Sequence, residues 1–378
     1  MTNRLGSPFG VGENPLASAD LNDTFSAASF GIMSTRFLSG VSTDANAGLF
    51  GFAKTSGNRV VAFDGLGSVW TSDTLGSTWY LTGSCIGSPT ETYYPYNAFC
   101  VCDTSPNNVI MYGNDLSFIT IGSSVRYSVN GGSTWANSKG VPITNLISIN
   151  DASFPHSGAL YLGGDCSGTL HGLAFSNDNG SSWAFRNDAG SCTSEVYAVS
   201  FGSPASFGVA LDNGTDLFVT FDAGSNFSAV AGDPSQNGLL QVWGGSVWYL
   251  VYNANDYNNI YRGVGSVAVL DAKIPIPYQA ECKTPLIRFP VGSVMGFGYH
   301  DQDASWNADG QLTWASTDGV ANHWITFPTP YALGSLRSFG DQWKKNTCLN
   351  AIGSDWIMMP TFGNFGAKLR VGFTLNNL

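Results

Sequence analysis

Charged side chains are scarce in this chain: Asp, Glu, Lys and Arg together make up 11% of its 378 residues, whereas about a quarter is usual for globular domains. The formal net charge of −11 argues against nucleic acid as a partner, since nucleic-acid binding needs a basic face. No apolar run reaches the length of about 18 residues that a membrane-spanning helix needs, so no membrane span is predicted. The segment from Met1 to Asp20 lacks the apolar stretch of a secretory signal, so none is expected.

Long helical patterns are lacking as well, because the apolar residues recur in short runs bounded by turn residues. The seven cysteines are an odd number spread along the chain, and the expectation is therefore of reduced, buried thiols. We expect no metal and no cofactor. The remaining surface is mostly neutral and polar, which suits a sugar or a protein partner better than a charged one.

Within this composition an eight-residue motif of the form Ser-x-Asp-x-Gly-x-Ser-Trp recurs, with its best copy at residues 176–183. The copy at 128–135 has Asn in the Asp position, the copy at 220–227 ends in Phe, and the copy at 72–79 is irregular between Asp and Gly. A degraded fifth copy spans 316–324. The residues that mark these copies are Asp73 and Trp79, Asn130 and Trp135, Asp178 and Trp183, Asp222 and Phe227, and Asp318.

The spacing of the copies predicts a repeat architecture. Successive marked residues are separated by 57, 48, 44 and 96 positions, and the last interval equals two units of 48 with one unreadable copy between them. A period of about 40–50 residues is typical of a propeller or a similar array. In each copy Asp or Asn accepts backbone N–H bonds and Gly supplies a positive φ. The aromatic residue then begins the next strand and is large enough to fill the gap between neighbouring sheets.

This motif resembles the Asp-box, or bacterial-neuraminidase repeat, of sialidase-like β-propellers. The resemblance implies an all-β fold in which the motif turns are structural and lie on the face opposite the functional site. Sialidase activity is not expected, because the arginine motif Phe/Tyr-Arg-Ile-Pro of those enzymes has no intact counterpart. The nearest string, from Ile287 to Pro290, is scrambled and lies in the sixth unit.

We predict a single β-propeller over residues 28–378, preceded by an N-terminal arm of residues 1–27. Seven blades of four strands are expected, although six blades with extra strands is the alternative count. The fifth unit, at about 238–272, keeps its strands but lacks the motif. Because the last unit has only three evident strands, residues 28–40 are predicted to supply its fourth strand and close the ring.

Candidate site residues lie in loops on the face opposite the motif turns, where polar and aromatic side chains can meet a sugar. The long loop from His300 to Gly310 is the best candidate, because it combines a His, acids and a Trp. The predicted ligand-binding residues are His300, Asp301, Asp303, Trp306, Asp256, Tyr257 and Glu281, and the candidate catalytic residues are Asp115 and Asp165. Each of these acids can equally serve as an ordinary turn cap.

Two classes of function follow. The first is a non-catalytic recognition or structural propeller that binds glycan or neighbouring proteins. The low charge, the high content of Gly, Ser and Asn, and the lack of a secretory signal resemble those of bacteriophage virion proteins, such as tail or receptor-binding components. If the chain is such a protein, residues 1–27 are an attachment segment, and a homo-oligomer is possible. The second is a glycoside hydrolase with paired aspartates as acid and base. A third, weaker alternative is an assembly-factor scaffold of the Asp-box type, which binds protein through the same face.

Overall fold

The chain is all-β in a computed structural model that describes a little over half of its residues. The described residues are 25–37, 49–64, 68–75, 78–84, 98–112, 125–139, 146–166, 172–185, 195–202, 206–212, 216–232, 239–244, 246–254, 257–275, 286–288, 295–299, 311–315, 325–328, 350–351, 356–360 and 365–375. Within these ranges β-strand is the only regular secondary structure, as the short apolar runs of the sequence predict.

The strands fall into consecutive groups along the chain. The first strand is β1 (Phe25–Phe37), followed by β2 (Leu49–Lys54), β3 (Val60–Asp64), β4 (Ser68–Ser72), β5 (Tyr80–Ser84), β6 (Ala98–Val101), β7 (Val109–Tyr112), β8 (Val125–Ser128) and β9 (Ala136–Asn137). Next come β10 (Leu146–His156), β11 (Ala159–Cys166), β12 (Leu173–Ser176), β13 (Ala184–Phe185), β14 (Val196–Phe201), β15 (Gly208–Asp212), β16 (Leu217–Thr220) and β17 (Ser228–Ala229). The remainder are β18 (Leu239–Gly244), β19 (Val247–Ala254), β20 (Tyr257–Val264), β21 (Val267–Pro275), β22 (Leu286–Arg288), β23 (Met295–Tyr299), β24 (Gln311–Ala315), β25 (Ile325–Pro328), β26 (Asn350–Ala351), β27 (Trp356–Pro360) and β28 (Phe365–Leu375).

These strands form four-stranded antiparallel sheets. Sheet 1 is β2–β5, sheet 2 is β6–β9, sheet 3 is β10–β13, sheet 4 is β14–β17, sheet 5 is β18–β21 and sheet 6 is β22–β25, each in sequence order. Sheet 7 has the order β1-β28-β27-β26, so an N-terminal strand lies beside the three C-terminal strands. The strand β1 begins at Phe25, earlier than the predicted start at residue 28, and pairs antiparallel with β28 from Phe25↔Leu375 to Phe37↔Phe365.

The core consists of apolar layers between successive sheets. Between sheets 3 and 4, for example, the rings of Tyr161 and Phe201 stack with centroids 3.6 Å apart, in a cluster that includes Leu173 and Phe218. The middle strands of sheet 4 are buried on both faces, which explains why their sequences are continuous apolar runs rather than alternating ones. Sheet 5 uses a glycine in this layer: a Cβ on Gly263 would lie 1.8 Å from the indole of Trp248.

Polar side chains on the first strands connect one sheet to the next. Asp151 of β10 is buried, and its Oδ2 accepts the backbone N–H of Val199 in sheet 4 at 3.0 Å. Ser153 accepts the N–H of Phe201 at 2.8 Å, and Ser200 of sheet 4 accepts the N–H of Val242 in sheet 5 at 2.8 Å. These three hydrogen bonds join sheets 3, 4 and 5 through groups that would be costly to bury without partners.

The recurring motif forms the hairpin between the third and fourth strands, and we call these hairpins of sheets 1–4 the clamp turns (72–79, 128–135, 176–183 and 220–227). In sheet 3, Asp178 Oδ1 accepts Ser176 Oγ at 2.8 Å and the N–H of Ser182 at 2.7 Å. Ser176 Oγ accepts the N–H of Gly180 at 2.9 Å, and Gly180 has a φ of 89°. The predicted use of Asp as an acceptor and Gly at positive φ is therefore observed in this turn.

The clamp turns of sheets 2 and 4 repeat this hydrogen bonding with different residues. Asn130 Oδ1 accepts Ser128 Oγ and the N–H of Thr134. Asp222 Oδ1 accepts Thr220 Oγ1 and the N–H of Asn226. The bond pattern thus depends on one side-chain oxygen at the Asp position, which an amide supplies as well as a carboxylate does.

The clamp turn of sheet 1 uses a neighbouring residue instead. Thr74 Oγ1 accepts the N–H of Thr78 at 2.8 Å, which is the bond that Asp178 makes to Ser182. Asp73, the residue marked in the sequence, is exposed and forms an ion pair with Arg59 at 2.6 Å, and it also accepts a hydrogen bond from the hydroxyl of Tyr80. The irregularity seen in this copy therefore corresponds to a change of capping residue.

Sheet 5 lacks the clamp turn, as predicted, and a short hairpin takes its position. Val264 of β20 pairs directly with Val267 of β21, and Gly265 between them has a φ of 57°, which suits a tight two-residue turn. Ala231 of sheet 4 forms a parallel bridge to Val267, and Lys139 of sheet 2 forms the same kind of bridge to Ser182 of sheet 3. The short hairpin therefore makes the same link to the preceding sheet that a clamp turn makes.

Two of the cysteines test the predicted thiol state. Cys100 and Cys102 are both buried and neither is in a disulfide, and they pack in the apolar cluster between sheets 2 and 3. Burial raises the pKa of the Cys102 thiol above its usual value. The prediction of buried, reduced thiols is confirmed for these two residues.

Candidate functional site

The register of the strands gives each sheet a clamp end and a far end. In sheet 3, Leu160 pairs with Ser176, where the clamp turn begins, and Gly163 pairs with Leu173. The loop from β11 to β12 therefore leaves from the other end, which we call the far end. The prediction that the loops between second and third strands lie opposite the motif turns is confirmed for this sheet.

Two of the predicted site residues lie among the described residues, and both are at far ends. Asp165 is the penultimate residue of β11 and pairs with Ser148 of β10. Tyr257 is the first residue of β20 and pairs with Ala254 and Pro275, whereas the opposite end of that sheet is the short hairpin at Gly265. The backbone thus brings Asp165 and Tyr257 to the same side of their respective sheets.

The other predicted site residues lie outside the described residues. They are Asp115, Asp256, Glu281, His300, Asp301, Asp303 and Trp306, together with Asp318 of the degraded motif copy.

At the far ends of sheets 3 and 4, backbone segments of the two sheets lie very close together. Gly164 N–H donates to the carbonyl oxygen of Gly172 at 2.8 Å. A Cβ on Gly172 would lie 2.0 Å from Gly164 O and 2.7 Å from Val196 N, so only glycine fits at this position. Asp165 follows Gly164 directly and Glu195 precedes Val196 directly, and this contact therefore sets two acidic residues at the far ends of adjacent sheets.

A further acid at the far end of sheet 4 was not singled out in the sequence. Asp212 is buried, and its Oδ1 accepts the N–H of Asp216 at 3.0 Å, so that it caps the turn from β15 to β16. The segment from Asp212 to Asp216 reads Asp-Asn-Gly-Thr-Asp, which is typical of a turn. Sequence signals of this kind do not separate a capping acid from a ligand-binding one.

Asp151, described above, is the other acid that sequence reasoning missed. Its Oδ1 accepts the N–H of Ala152 at 2.9 Å and its Oδ2 that of Val199. Because both oxygens accept backbone bonds, the side chain serves to join two sheets. Nothing periodic in the sequence marks it, since it lies in the middle of a strand.

The carboxyls with lowered pKa lie in the clamp turns. The side-chain amide of Asn226, followed by its backbone N–H, lowers the pKa of Asp222 to about 2. Burial alone would raise the pKa of Asp178, but hydrogen bonds from Ser182 and Ser176 together lower it below its usual value. The pKa of Asp73 is lowered by its hydrogen bond from Arg59 and then by that from Tyr80. These shifts follow from turn capping and mark structural rather than reacting groups.

Neither a metal cluster nor a membrane helix is found in the part of the chain that the structure describes. No three His, Cys, Asp or Glu residues there are grouped so that they could hold a metal ion. Likewise, those residues include no helix with the length and apolar character to span a membrane.

Comparison with known proteins finds similarity in structure and not in sequence. No protein-family model matches the chain, and no curated protein matches it. The solved structure of YCF48 bound to D1 peptide matches with a TM-score of 0.59 and 9% identity, over 92% of this chain and 98% of that one. The GH74 xyloglucanase of Xanthomonas campestris matches with a TM-score of 0.59 and 16% identity, over 88% of this chain and 53% of that one. YCF48 from Cyanidioschyzon merolae matches with a TM-score of 0.53 and 12% identity, over 87% of this chain and 98% of that one.

At these identities the similarities establish the fold alone. These neighbours are β-propeller proteins, and this chain, like a propeller, consists of several four-stranded antiparallel sheets. The chain has the β-propeller fold.

Proposed function

We propose that this chain is a non-catalytic recognition or structural propeller, which binds a glycan or a virion protein partner through the far ends of its sheets. The proposal includes seven blades over residues 28–378, closed by the N-terminal strand, with the clamp turns as Asp-boxes on the opposite face. Residues 1–27, apart from the first residues of β1, form the attachment arm in this proposal.

Seven blades are supported by the contacts between first strands. The first strands of successive sheets contact one another from β2 through β6, β10, β14, β18 and β22 to β26, and β26 contacts β2. Because β1 pairs with β28, the N-terminal strand provides the fourth strand of sheet 7. The Asp-box assignment is supported by the shared hydrogen bonds of Asn130, Asp178 and Asp222.

The observation that carries the recognition function is the extent of the similarity to YCF48. The match covers 98% of that chain, and that protein is bound to a peptide, so a single propeller of this size suffices for partner binding in that case. The low proportion of charged residues, 11%, favours a ligand that is recognised by hydrogen bonds and aromatic stacking rather than by ion pairs. The same composition supports the proposed origin as a virion component.

The glycoside hydrolase alternative is favoured by a different neighbour. The similarity to the GH74 xyloglucanase covers 53% of that enzyme's chain, so this chain spans about half of its length. In this alternative Asp115 and Asp165 act as the acid and base, and Asp165 lies at the far end of sheet 3, as a catalytic group on this face requires.

Binding to a glycan array, run in parallel with an assay for released reducing ends, tests both proposals. We expect binding without release, and loss of binding in Trp306→Ala, since an indole ring can stack on the apolar face of a sugar. Phe221→Ala is the matched control, because Phe221 is an aromatic residue exposed in a clamp turn, on the opposite face. Binding should survive this control substitution.

Release of reducing ends would contradict the non-catalytic proposal. If it is lost in Asp165→Asn or Asp115→Asn while glycan binding is retained, the chain is a hydrolase. If neither binding nor release is detected, the glycan proposal fails and a protein partner is the remaining form of the recognition function.

A further inference from the structure

Large hydrophobic side chains that are exposed concentrate at the clamp ends of the sheets. Among the described residues, six of the seven such side chains lie in a clamp turn, directly after one, or beside the short hairpin of sheet 5: Tyr80, Leu81, Val129, Phe221, Val264 and Val267. The seventh is Tyr197, in the first strand of sheet 4. It is therefore the one member of this set that does not belong to a clamp end.

Tyr197 lies at the far end of sheet 4. Gly208 of β15 pairs with Thr220, where the clamp turn begins, and at the other end of β15 Asp212 pairs with Val196 of β14. Tyr197 directly follows Val196, so it is opposite the clamp turn. The strand β14 also contacts β10 and β18, the first strands of sheets 3 and 5. Tyr197 is thus on the strand that adjoins both neighbouring sheets.

A β-bulge accounts for the exposure of Tyr197. The register of β14 with β15 shifts between Val196 and Ala198, so Tyr197 is the additional residue of the bulge. The other residues of β14 are buried, with Val196 and Val199 in the apolar layer toward sheet 3 and Ala198 in the layer toward sheet 5. Bulges redirect a side chain and are common next to active sites. Here the bulge leaves the ring of Tyr197 outside both layers, where it is open to a ligand.

The charged residues around Tyr197 are acidic. Glu195 precedes β14 and is half-buried, and Asp216 is exposed in the turn that Asp212 caps. The strands β14, β15 and β16 contain no Lys or Arg. Carboxylates accept hydrogen bonds from hydroxyl groups and repel a negatively charged ligand. The surroundings of the ring therefore favour a ligand that is rich in hydroxyl groups and carries no negative charge.

We infer that Tyr197 is the stacking surface for an uncharged sugar ring, with the neighbouring carboxylates as acceptors for the sugar hydroxyls. The flat apolar face of a tyrosine ring matches the C–H face of a sugar. Sialylated and sulfated glycans are disfavoured, because their negative charge would lie near Glu195 and Asp216. This inference rests on the recognition function proposed above, and it adds the ligand class and a contact residue.

An array that contains neutral, sialylated and sulfated glycans tests the inference, followed by titration calorimetry with the neutral oligosaccharide that binds best. The unsubstituted chain should bind neutral glycans in preference to both acidic classes. Tyr197→Ala should raise the dissociation constant by about tenfold or more, whereas Tyr197→Phe keeps the ring and should change it by less than about threefold. The melting temperatures of both variants show whether they are folded.

Tyr80→Ala is the matched control, since Tyr80 is also an exposed tyrosine but lies at the clamp end of sheet 1. Its dissociation constant should equal that of the unsubstituted chain. Amide hydrogen exchange of the unsubstituted chain gives a second measurement that needs no variant. With the oligosaccharide bound, the amides around Tyr197 should exchange more slowly, and those around Tyr80 should be unchanged.

The outcomes separate this inference from the proposed function. If the unsubstituted chain binds neutral glycans, but Tyr197→Ala binds them equally well and the amides around Tyr197 gain no protection, the inference is wrong and the recognition function stands. A preference for sialylated or sulfated glycans overturns the inference in the same way. If the unsubstituted chain binds no glycan, the glycan form of the proposed function fails, and this inference fails with it.

Discussion

At the scale of single residues, the aromatic residue that ends the clamp turn of sheets 2, 3 and 4 connects its sheet to the preceding one. Trp183 of sheet 3 packs in the cluster between sheets 2 and 3, and Phe227 of sheet 4 packs in the cluster between sheets 3 and 4. Trp135 of sheet 2 lies against the cluster of sheets 1 and 2, with its ring 5.8 Å from that of Phe99. A Trp and a Phe thus fill equivalent positions, which indicates that ring size matters more than the indole N–H.

The hydrogen bonding of the indole supports this interpretation and leads to a prediction. Among the described residues, the buried Nε1 atoms of Trp135 and Trp183 have no hydrogen-bond partner. We therefore expect Trp183→Phe to lower the free energy of unfolding by only about 1–2 kcal/mol, and Trp183→Ala by about 3–5 kcal/mol, because only the latter empties the layer between sheets. Urea unfolding of both variants measures the difference. If the two variants lose the same unfolding free energy, the indole N–H of Trp183 has a partner that stabilises the fold.

At the scale of elements, local turns were predictable from the sequence and contacts between sheets were not. The clamp turns of sheets 2–4 are eight-residue units whose capping hydrogen bonds join residues two or four positions apart, so the local sequence is enough to predict them. Sheet 1 is the exception: there Thr74, which stands two residues after Ser72 as Asp178 stands after Ser176, makes the capping bond. The acid that marks this copy, Asp73, pairs with Arg59 instead.

Contacts between sheets depend on residues about 50 positions apart, for which the sequence gives no local signal. Asp151 and Val199 are separated by 48 residues, and neither lies in a recognisable motif. The far-end loops are equally hard to interpret from sequence. An acid in a Gly- or Asn-rich loop has the sequence pattern of a turn cap whether or not it also binds a ligand. The sequence therefore predicts which face is functional, through the strand order, but not which acids on it converge.

The connection made by Asp151 gives a prediction at this scale. Replacing Asp151 with Ala leaves the N–H of Val199 buried without an acceptor, which should cost about 1–3 kcal/mol of unfolding free energy. Hydrogen exchange should locate the effect: the amide of Val199 should exchange faster, whereas amides within sheet 2 should be unchanged. Asp151→Asn is the matched control, because its amide oxygen can still accept one of the two bonds and the loss should be smaller. If both variants lose the same free energy, the carboxylate acts through its charge and not through the link between sheets 3 and 4.

At the scale of the whole molecule, stability depends on nearest-neighbour contacts around the array of sheets. Sheets 1 to 5 pack one on the next through apolar layers. Clamp turns and polar side chains add bonds between some of the same neighbours, for example Lys139 to Ser182 and Ser200 to Val242. In such an array every unit has two neighbours only if the first and last units are joined. In the closed propeller proposed above, the strand β1 is the covalent means of that joining, since it precedes sheet 1 in the chain but pairs with β28 of sheet 7.

Removing β1 should therefore destabilise the whole molecule and not only sheet 7. A chain that lacks residues 1–37 leaves the edge of β28 unpaired over the register from Phe365 to Leu375, and we expect its melting temperature to fall by about 5 °C or more. A chain that lacks only residues 1–24 keeps β1 and is the control, with an expected melting temperature close to that of the full chain. Adding a peptide of residues 25–37 to the shorter chain should restore the transition, because the peptide can pair with β28 without being covalently attached. If the chain without residues 1–37 melts as the full chain does, β1 does not join the ends of the array, and the seven-bladed closed propeller proposed above is wrong in its closure.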